Sequence, residues 1–220
     1  MEKNTENRLV DDLNKQKSEF ASKAPADKKK IYGDGLQSLV DQHIAENALQ
    51  LGDTAVDFTL KNATGSEVTL YEELKKGPVV LIWYRGGWCP YCNLTLRHMQ
   101  ASLSEIKKYG ATLMALTPEL PDKTMSTQEK HNLEFEVLSD NDNSIARKYK
   151  IFFKLTDAVA KVYEESFGLS QYNGNSKGEL PLAVTYIIDS DKTIKYAFLD
   201  ADYRNRAEPS DIVDFLKKNY

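Results

Sequence analysis

Residues 78–92 read PVVLIWYRGGWCPYC, and this stretch decides the fold. Its first seven residues form a continuous apolar run of strand length, which is typical of a parallel strand covered on both faces. Gly86 and Gly87 end the run, and residues 93–109 then carry apolar side chains at helical spacing before the helix stop at Gly110. The stretch therefore predicts a buried strand, a turn that holds two cysteines, and a helix.

Strands and helices alternate on both sides of this stretch, which is typical of an α/β fold. Two short strands surround a glycine turn before it, and a turn of hairpin length joins the last two strands after it. The predicted strands are 57–60, 67–70, 78–84, 111–116, 137–139, 184–188 and 194–198. The predicted helices are 71–76, 93–109, 122–131, 143–149 and 209–217, and residues 151–180 form an insertion. Together these elements predict a mixed central sheet flanked by helices.

Residues 1–50 differ in composition from the rest of the chain. They are polar and rich in lysine, and their apolar residues recur at helical spacing on both sides of Pro25. We therefore predict an N-terminal helical extension over 1–50, made of two helices with a break at 24–30, and a main domain over 51–220. The extension is expected to pack on the main domain, or on a second subunit in a homodimer, and to carry no functional residues.

Composition and charge exclude several classes of protein. Twenty-nine basic against 33 acidic residues give a net charge of −4, which argues against a nucleic-acid binder. The longest apolar run, 79–84, is too short to cross a membrane, and Met1–Asn7 lacks the apolar core of a secretion signal. We therefore expect a cytoplasmic protein that binds neither nucleic acid nor membrane. No phosphate loop or other cofactor motif is present, so no cofactor is expected.

The two cysteines of the chain, Cys89 and Cys92, form a Cys-x-x-Cys pair. A zinc site would need two further ligands, and the histidines 43, 98 and 131 do not have ligand spacing, so no metal site is predicted. A disulfide-stapled secreted fold would need more cysteines. A redox-active pair is the better interpretation.

The position of the pair explains why it would be reactive. It lies where a strand turns into a helix, and the free N–H groups and partial positive charge of a helix N-terminus stabilise a thiolate. The spacing lets the two sulfurs approach bonding distance. One thiolate can then attack a peroxide or a disulfide while the other thiol resolves the product. An inert buried pair is the alternative, and the small residues Gly86 and Gly87 favour a loop that is open to substrate.

Two resemblances start from these motifs. The segment WCPYC, 88–92, resembles the active site of thioredoxins and glutaredoxins, and RGGWCPYC, 85–92, is similar to that of peroxiredoxin-like proteins. The order of Leu51-Gly52-Asp53, Asp57-Phe58-Thr59-Leu60, the 79–84 strand, Val137-Leu138-Ser139-Asp140 and Thr185-Tyr186-Ile187-Ile188-Asp189 resembles the AhpC/TSA family over about 51–220. The resemblance implies a thioredoxin-like fold.

The resemblance also suggests roles for single residues and leaves one choice open. Aligning Cys92 with the peroxidatic cysteine of the family places Cys89 at the family's threonine, whereas the thioredoxin analogy makes Cys89 the nucleophile. Arg85 is a candidate for stabilising the thiolate and binding a peroxide oxygen. Trp88 and Tyr91 are candidate substrate-side residues. The nearby arginines 204 and 206 could replace the arginine that peroxiredoxins carry near position 183.

Three functional hypotheses follow. The first is a thiol peroxidase that reduces hydrogen peroxide or organic hydroperoxides through a Cys89–Cys92 disulfide, with recycling by an external dithiol such as thioredoxin. The second is a thiol–disulfide oxidoreductase without peroxidase activity. The third is a redox-responsive binding module that uses the N-terminal helices to contact a partner.

Overall fold

A computed structural model describes residues 8–220, so the predicted lack of a signal in Met1–Asn7 lies outside the described residues. No helix in this part of the chain is long and apolar enough to cross a membrane. The helices are α1 (Leu9–Lys23), α2 (Ala26–Asp41), α3 (Ile44–Asn47), α4 (Leu70–Leu74), α5 (Pro90–Ala101), α6 (Leu103–Lys108), α7 (Pro121–His131), α8 (Ser144–Lys148), α9 (Asp157–Phe167), α10 (Leu169–Asn173) and α11 (Pro209–Asn219). The strands are β1 (Thr59–Lys61), β2 (Glu67–Thr69), β3 (Val79–Trp83), β4 (Thr112–Thr117), β5 (Glu136–Ser139), β6 (Phe152–Lys154), β7 (Glu179–Pro181), β8 (Thr185–Ile188) and β9 (Ile194–Phe198).

A five-stranded mixed sheet forms the centre of the molecule, in the order β5-β4-β3-β8-β9. Strands β3, β4 and β5 run parallel to one another. Strand β8 is antiparallel to its neighbour β3, and β9 is antiparallel to β8. Every residue of β3 is buried, as expected for a central strand with both faces covered. The predicted mixed sheet flanked by helices is therefore confirmed. Strands β1 and β2 form a separate antiparallel pair, as do β6 and β7 within the predicted insertion.

The helix after the cysteine turn differs from its prediction in two ways. It begins at Pro90 rather than at residue 93, because proline is well suited to the first helical position and Cys89, in an extended conformation, caps the helix. Ser102, with φ −94° and ψ 0°, leaves the helical conformation and divides the predicted helix into α5 and α6. Cys92 consequently lies inside the first turn of a helix, where the free N–H groups are concentrated.

The N-terminal extension forms the two predicted helices, but the break between them is shorter than predicted. Helix α2 begins at Ala26, directly after Pro25, which is its N-cap residue. Helix α1 packs on α5, and α2 packs on α9. A carboxylate anchors the start of α1, because Glu208 accepts hydrogen bonds of 3.0 Å from the backbone N–H groups of Leu9 and Val10. The extension therefore packs on the rest of the same chain, while the proposed domain boundary after residue 50 stays a prediction.

Candidate active site

Two free thiols lie side by side where β3 passes into α5. Cys89 is the N-cap of the helix and Cys92 is its third residue. Only 1% of Cys89 and none of Cys92 is exposed to solvent. The two thiols are close enough to share a side-chain hydrogen bond. This arrangement allows a disulfide to form between them.

Nitrogen donors surround the Cys92 sulfur. The backbone N–H of Arg85 lies 3.4 Å from Sγ of Cys92, and Nη2 of Arg206 lies 3.6 Å from it. Nη1 of Arg85 lies 3.8 Å from Sγ of Cys89. Charged and backbone N–H donors stabilise an anionic acceptor more than a neutral one. Cys92 is thus the better placed of the two sulfurs to hold a negative charge.

The pKa values of the two thiols move in opposite directions. Burial by itself raises the pKa of Cys92, but the hydrogen bond from Cys89, the charges of Arg206 and Arg85 and the Arg85 N–H outweigh it and lower the pKa to about 5. Burial raises the pKa of Cys89, and its neighbour Cys92 raises it further, to well above its ordinary value. The pair therefore favours a state with one shared proton and one negative charge, and the donors around Cys92 favour the charge on that sulfur.

Arg85 is a buried cation held by aromatic rings. Only 2% of the residue is exposed, and its guanidinium carbon lies 3.8 Å from the ring centre of Tyr203 and 5.0 Å from those of Trp88 and Tyr163. Its Nη2 donates a 2.5 Å hydrogen bond to the Tyr163 hydroxyl. Among residues 8–220 no carboxylate pairs with this guanidinium. Since a buried charge needs a counter-charge, a thiolate of the adjacent cysteine pair is suited to balance Arg85, whose guanidinium contacts Cys89.

The two glycines before the cysteines serve close packing, so the expected open loop is wrong. A Cβ on Gly86, which has φ +148°, would lie 2.2 Å from Nε1 of Trp88. A Cβ on Gly87 would lie 2.2 Å from Oγ1 of Thr127. The glycines therefore let Trp88 and helix α7 close over the cysteine turn, which buries both sulfurs.

Sequence analysis missed a buried carboxyl group beside the pair. Glu119, fully buried, accepts a 2.9 Å hydrogen bond from the Gly87 N–H and a 3.2 Å bond from the Tyr84 hydroxyl. Burial raises its pKa to about 7, and the charge of Cys92 raises it too, against the lowering effect of the two hydrogen bonds. The topology offered a signal, because Glu119 follows strand β4 at the same end of the sheet where β3 leads to the cysteines.

We expect Glu119→Gln to change how stability depends on pH. The raised pKa means that the folded wild type binds a proton more tightly than the unfolded chain, so wild-type stability falls as pH rises from about 4.5 to about 7 and stays lower above. Glutamine has no such charge and still offers an oxygen to Gly87. The free energy of unfolding of the variant, measured relative to that of the wild type, should thus rise by on the order of 2 kcal/mol from pH 5 to pH 8.

Urea denaturation of both proteins at the two pH values measures this effect. Cys92 titrates in both proteins, so the difference between them reports on Glu119. Glu105→Gln, which removes an exposed carboxylate, is the matched control and should show no such gain. If the difference in free energy of unfolding between Glu119→Gln and the wild type is the same at pH 5 and pH 8, the raised pKa of Glu119 is wrong.

A cavity of about 210 Å³ leads to the cysteine pair, and we call it the aromatic chamber. Its inner end is formed by Arg85 and Cys89, and its outer part by residues of α1 and α2. Sequence analysis expected no site residue in the extension, but the structure places several there. The rings that line the chamber include Phe20, Tyr32, Trp88, Tyr163, Phe167 and Tyr203.

The structure brings most of the predicted site residues together. Trp88 and Tyr91 both line the aromatic chamber, and Tyr91 makes an edge contact with Tyr203 at 5.6 Å between ring centres. Arg206 reaches Cys92, whereas Arg204 pairs instead with Asp202 at 2.8 Å.

Comparisons with known proteins agree with this geometry. The model of the AhpC/TSA family matches residues 51–197. The chain belongs to the AhpC/TSA family. Peroxiredoxin Bcp of Escherichia coli is 24% identical over 173 residues, which cover 79% of this chain and 99% of that protein. The crystal structure of peroxidoxin BcpB from Mycobacterium tuberculosis superposes with a TM-score of 0.62 at 20% identity, over 78% of this chain and 99% of that chain.

A further solved structure is the bacterioferritin comigratory protein of Xanthomonas campestris, with a TM-score of 0.57 at 16% identity over 77% of this chain and 96% of that chain. The predicted family and thioredoxin-like fold are thereby confirmed. The predicted activity class, a peroxidase of the oxidoreductases, agrees with that membership.

Proposed function

We propose that this AhpC/TSA protein is a cysteine-dependent thiol peroxidase in which Cys92 is the attacking sulfur and Cys89 the resolving one. One observation carries the assignment: Cys92 sits in a helix N-terminus between the Arg85 N–H, the Arg206 guanidinium and the Cys89 thiol, all of which favour its anion. Peroxide reduction needs a thiolate at neutral pH and a second thiol within bonding distance.

The contacts support a reaction in two steps. The Cys92 thiolate attacks the outer oxygen of R–O–OH, so an S–O bond forms, the O–O bond breaks, and the departing alkoxide takes the proton of the Cys89 thiol and leaves as an alcohol. Arg85, 3.8 Å from Sγ of Cys89, stabilises the thiolate that remains there. This thiolate attacks the Cys92 sulfenic acid, an S–S bond forms, and the hydroxide released takes a proton from solvent to become water.

An external dithiol closes the cycle in this proposal. It supplies two electrons to the Cys89–Cys92 disulfide and is itself oxidised to a disulfide. The chain has no third cysteine, so the resolving thiol is either the other member of the pair or comes from another molecule, and the closeness of Cys89 to Cys92 supports the first of these. We assign this role to a thioredoxin-like reductant and the substrate to hydrogen peroxide or organic hydroperoxides. The Xanthomonas campestris relative is described with an alkyl peroxide reduction activity. A cytoplasmic location and a homodimer remain predictions.

A second candidate is a thiol–disulfide oxidoreductase without peroxidase activity. It is favoured by the fact that Cys89, and not Cys92, lines the aromatic chamber. Under this alternative a substrate disulfide would meet Cys89 first.

Peroxide consumption in the presence of dithiothreitol separates the two candidates. We expect the wild-type chain to consume hydrogen peroxide at least about a hundredfold faster than dithiothreitol alone, because the active thiolate is preformed. The Cys89→Ser, Cys92→Ser double variant is the control and should match dithiothreitol alone. A wild-type rate equal to that of the double variant would reject the peroxidase and leave the oxidoreductase.

A further inference from the structure

The aromatic chamber is walled on one side by helices that lie outside the segment matched by the family model. Phe20 of α1 stacks on Tyr32 of α2, with ring centres 5.3 Å apart and planes 9° apart. Tyr32 in turn makes an edge contact with Tyr163 at 5.5 Å. The family model covers residues 51–197, so these two rings are an addition of this chain to the core fold. They join the N-terminal extension to the residues that hold Arg85.

The opposite wall is also aromatic. Trp88 packs on Tyr163 at 5.1 Å and on Phe167 at 5.3 Å between ring centres. Tyr163 and Phe167 belong to α9, within the insertion at 151–180. Rings of α1, α2 and α9 therefore line the same cavity as Cys89 and Arg85.

Two buried N–H groups of residues that line the chamber lack a hydrogen-bond acceptor in the described part of the chain. Nε of Arg85 and Nε1 of Trp88 are buried and have no acceptor among residues 8–220. Buried N–H groups of this kind are usually paired. A hydroperoxide offers such an acceptor in its oxygens, while its organic group is apolar.

From these observations we infer that α1 and α2 supply a specificity wall, and that Phe20 and Tyr32 make the chain select hydroperoxides with an apolar group of about the size of a benzene ring over hydrogen peroxide. This inference rests on the proposed peroxidase function. The hydroperoxide end of the substrate lies at Arg85 and Cys89, next to the Cys92 sulfur, and the organic group lies between the rings of the extension and those of α9.

The physical basis is burial of apolar surface. Contact between an organic group and these rings removes apolar area from water, which stabilises the bound state in proportion to that area. Hydrogen peroxide has no apolar group, so the same rings contribute nothing to its binding. The volume of about 210 Å³ is far larger than hydrogen peroxide needs and accommodates an aromatic hydroperoxide.

The test is the ratio of kcat/KM for cumene hydroperoxide to kcat/KM for hydrogen peroxide, with dithiothreitol as reductant. We expect Phe20→Ala and Tyr32→Ala each to lower this ratio about tenfold through a higher KM for cumene hydroperoxide. Tyr32→Phe keeps the ring and should keep the wild-type ratio. Phe215→Ala removes a ring that packs on Tyr196, away from the chamber, and is the matched control.

Hydrogen peroxide serves as an internal control for folding, because a misfolded variant loses activity toward both substrates. A ratio that falls in the two chamber variants and not in Phe215→Ala supports the inference. If Phe20→Ala and Tyr32→Ala leave the ratio unchanged, the inferred role of α1 and α2 in substrate selection is wrong, whereas the proposed peroxidase activity is unaffected. If the wild-type chain consumes neither peroxide, the proposed function itself is wrong.

Discussion

Replacement of Cys92 by serine is expected to abolish peroxide reduction, lowering the second-order rate constant by more than about a thousandfold. The sulfur of Cys92 is the one that three donors hold as an anion, and a serine hydroxyl at the same place stays protonated and cannot attack a peroxide. The fold should survive, because the exchange of Sγ for Oγ is nearly isosteric and the Arg85 N–H keeps an acceptor.

Cys89→Ser is the matched variant and should behave differently. It keeps the attacking sulfur, so one equivalent of hydrogen peroxide is consumed in a burst and a sulfenic acid accumulates on Cys92. Without an added thiol, turnover then stops because no resolving thiol is present. Stopped-flow recording of tryptophan fluorescence follows this burst, since Trp88 precedes Cys89 and its ring lies against Arg85. A burst in Cys92→Ser and none in Cys89→Ser would reverse the two roles.

Replacement of Arg85 by methionine is expected to raise the pKa of Cys92 by about one to three pH units and to slow peroxide reduction about a hundredfold. The guanidinium is the buried cation of the pair, and the Arg85 side chain touches Cys89 while its N–H touches Cys92. Methionine keeps the backbone N–H and fills the aromatic cage, so the change isolates the charge. The thiolate absorbance near 240 nm, followed from pH 4 to pH 10, gives the pKa directly.

Two further variants serve as controls for Arg85→Met. Arg97→Met removes an exposed arginine of the same helix α5 and should leave both the pKa and the rate unchanged. Arg85→Lys retains the charge but not the planar group that stacks on Tyr203, and should give an intermediate rate. A thiolate titration in Arg85→Met identical to that of the wild type would show that Arg206 and the helix N-terminus suffice without Arg85.

The central elements could be predicted because local pattern determines them. An apolar run of strand length, a Gly-Gly break and a helical stripe specify β3, the cysteine turn and α5 without reference to distant residues. The order of the motifs was sufficient to indicate the family. The predicted helix starts at residue 93, where its apolar stripe begins, whereas α5 already begins at Pro90, a residue that suits the first turn of a helix.

The surroundings of the pair could not be predicted because they depend on contacts between distant parts of the chain. Tyr163 and Tyr203 lie 78 and 118 positions after Arg85, and nothing in the sequence marks them as a cage for a guanidinium. Phe20 and Tyr32 belong to an extension whose spacing predicts helices but not the face against which they dock. Gly86 and Gly87 suggested an open loop, since sequence does not reveal which side chains fill the space that a missing Cβ leaves.

The cage around Arg85 has a consequence for the energetics of electron transfer. Formation of the proposed disulfide would remove the thiolate of the pair and leave the buried guanidinium of Arg85 with no carboxylate partner among residues 8–220. A pair whose dithiol form is stabilised in this way has a more positive reduction potential and is a stronger oxidant. We therefore expect the pair to accept electrons readily from a dithiol donor and to rest, between reactions with peroxide, in its reduced form.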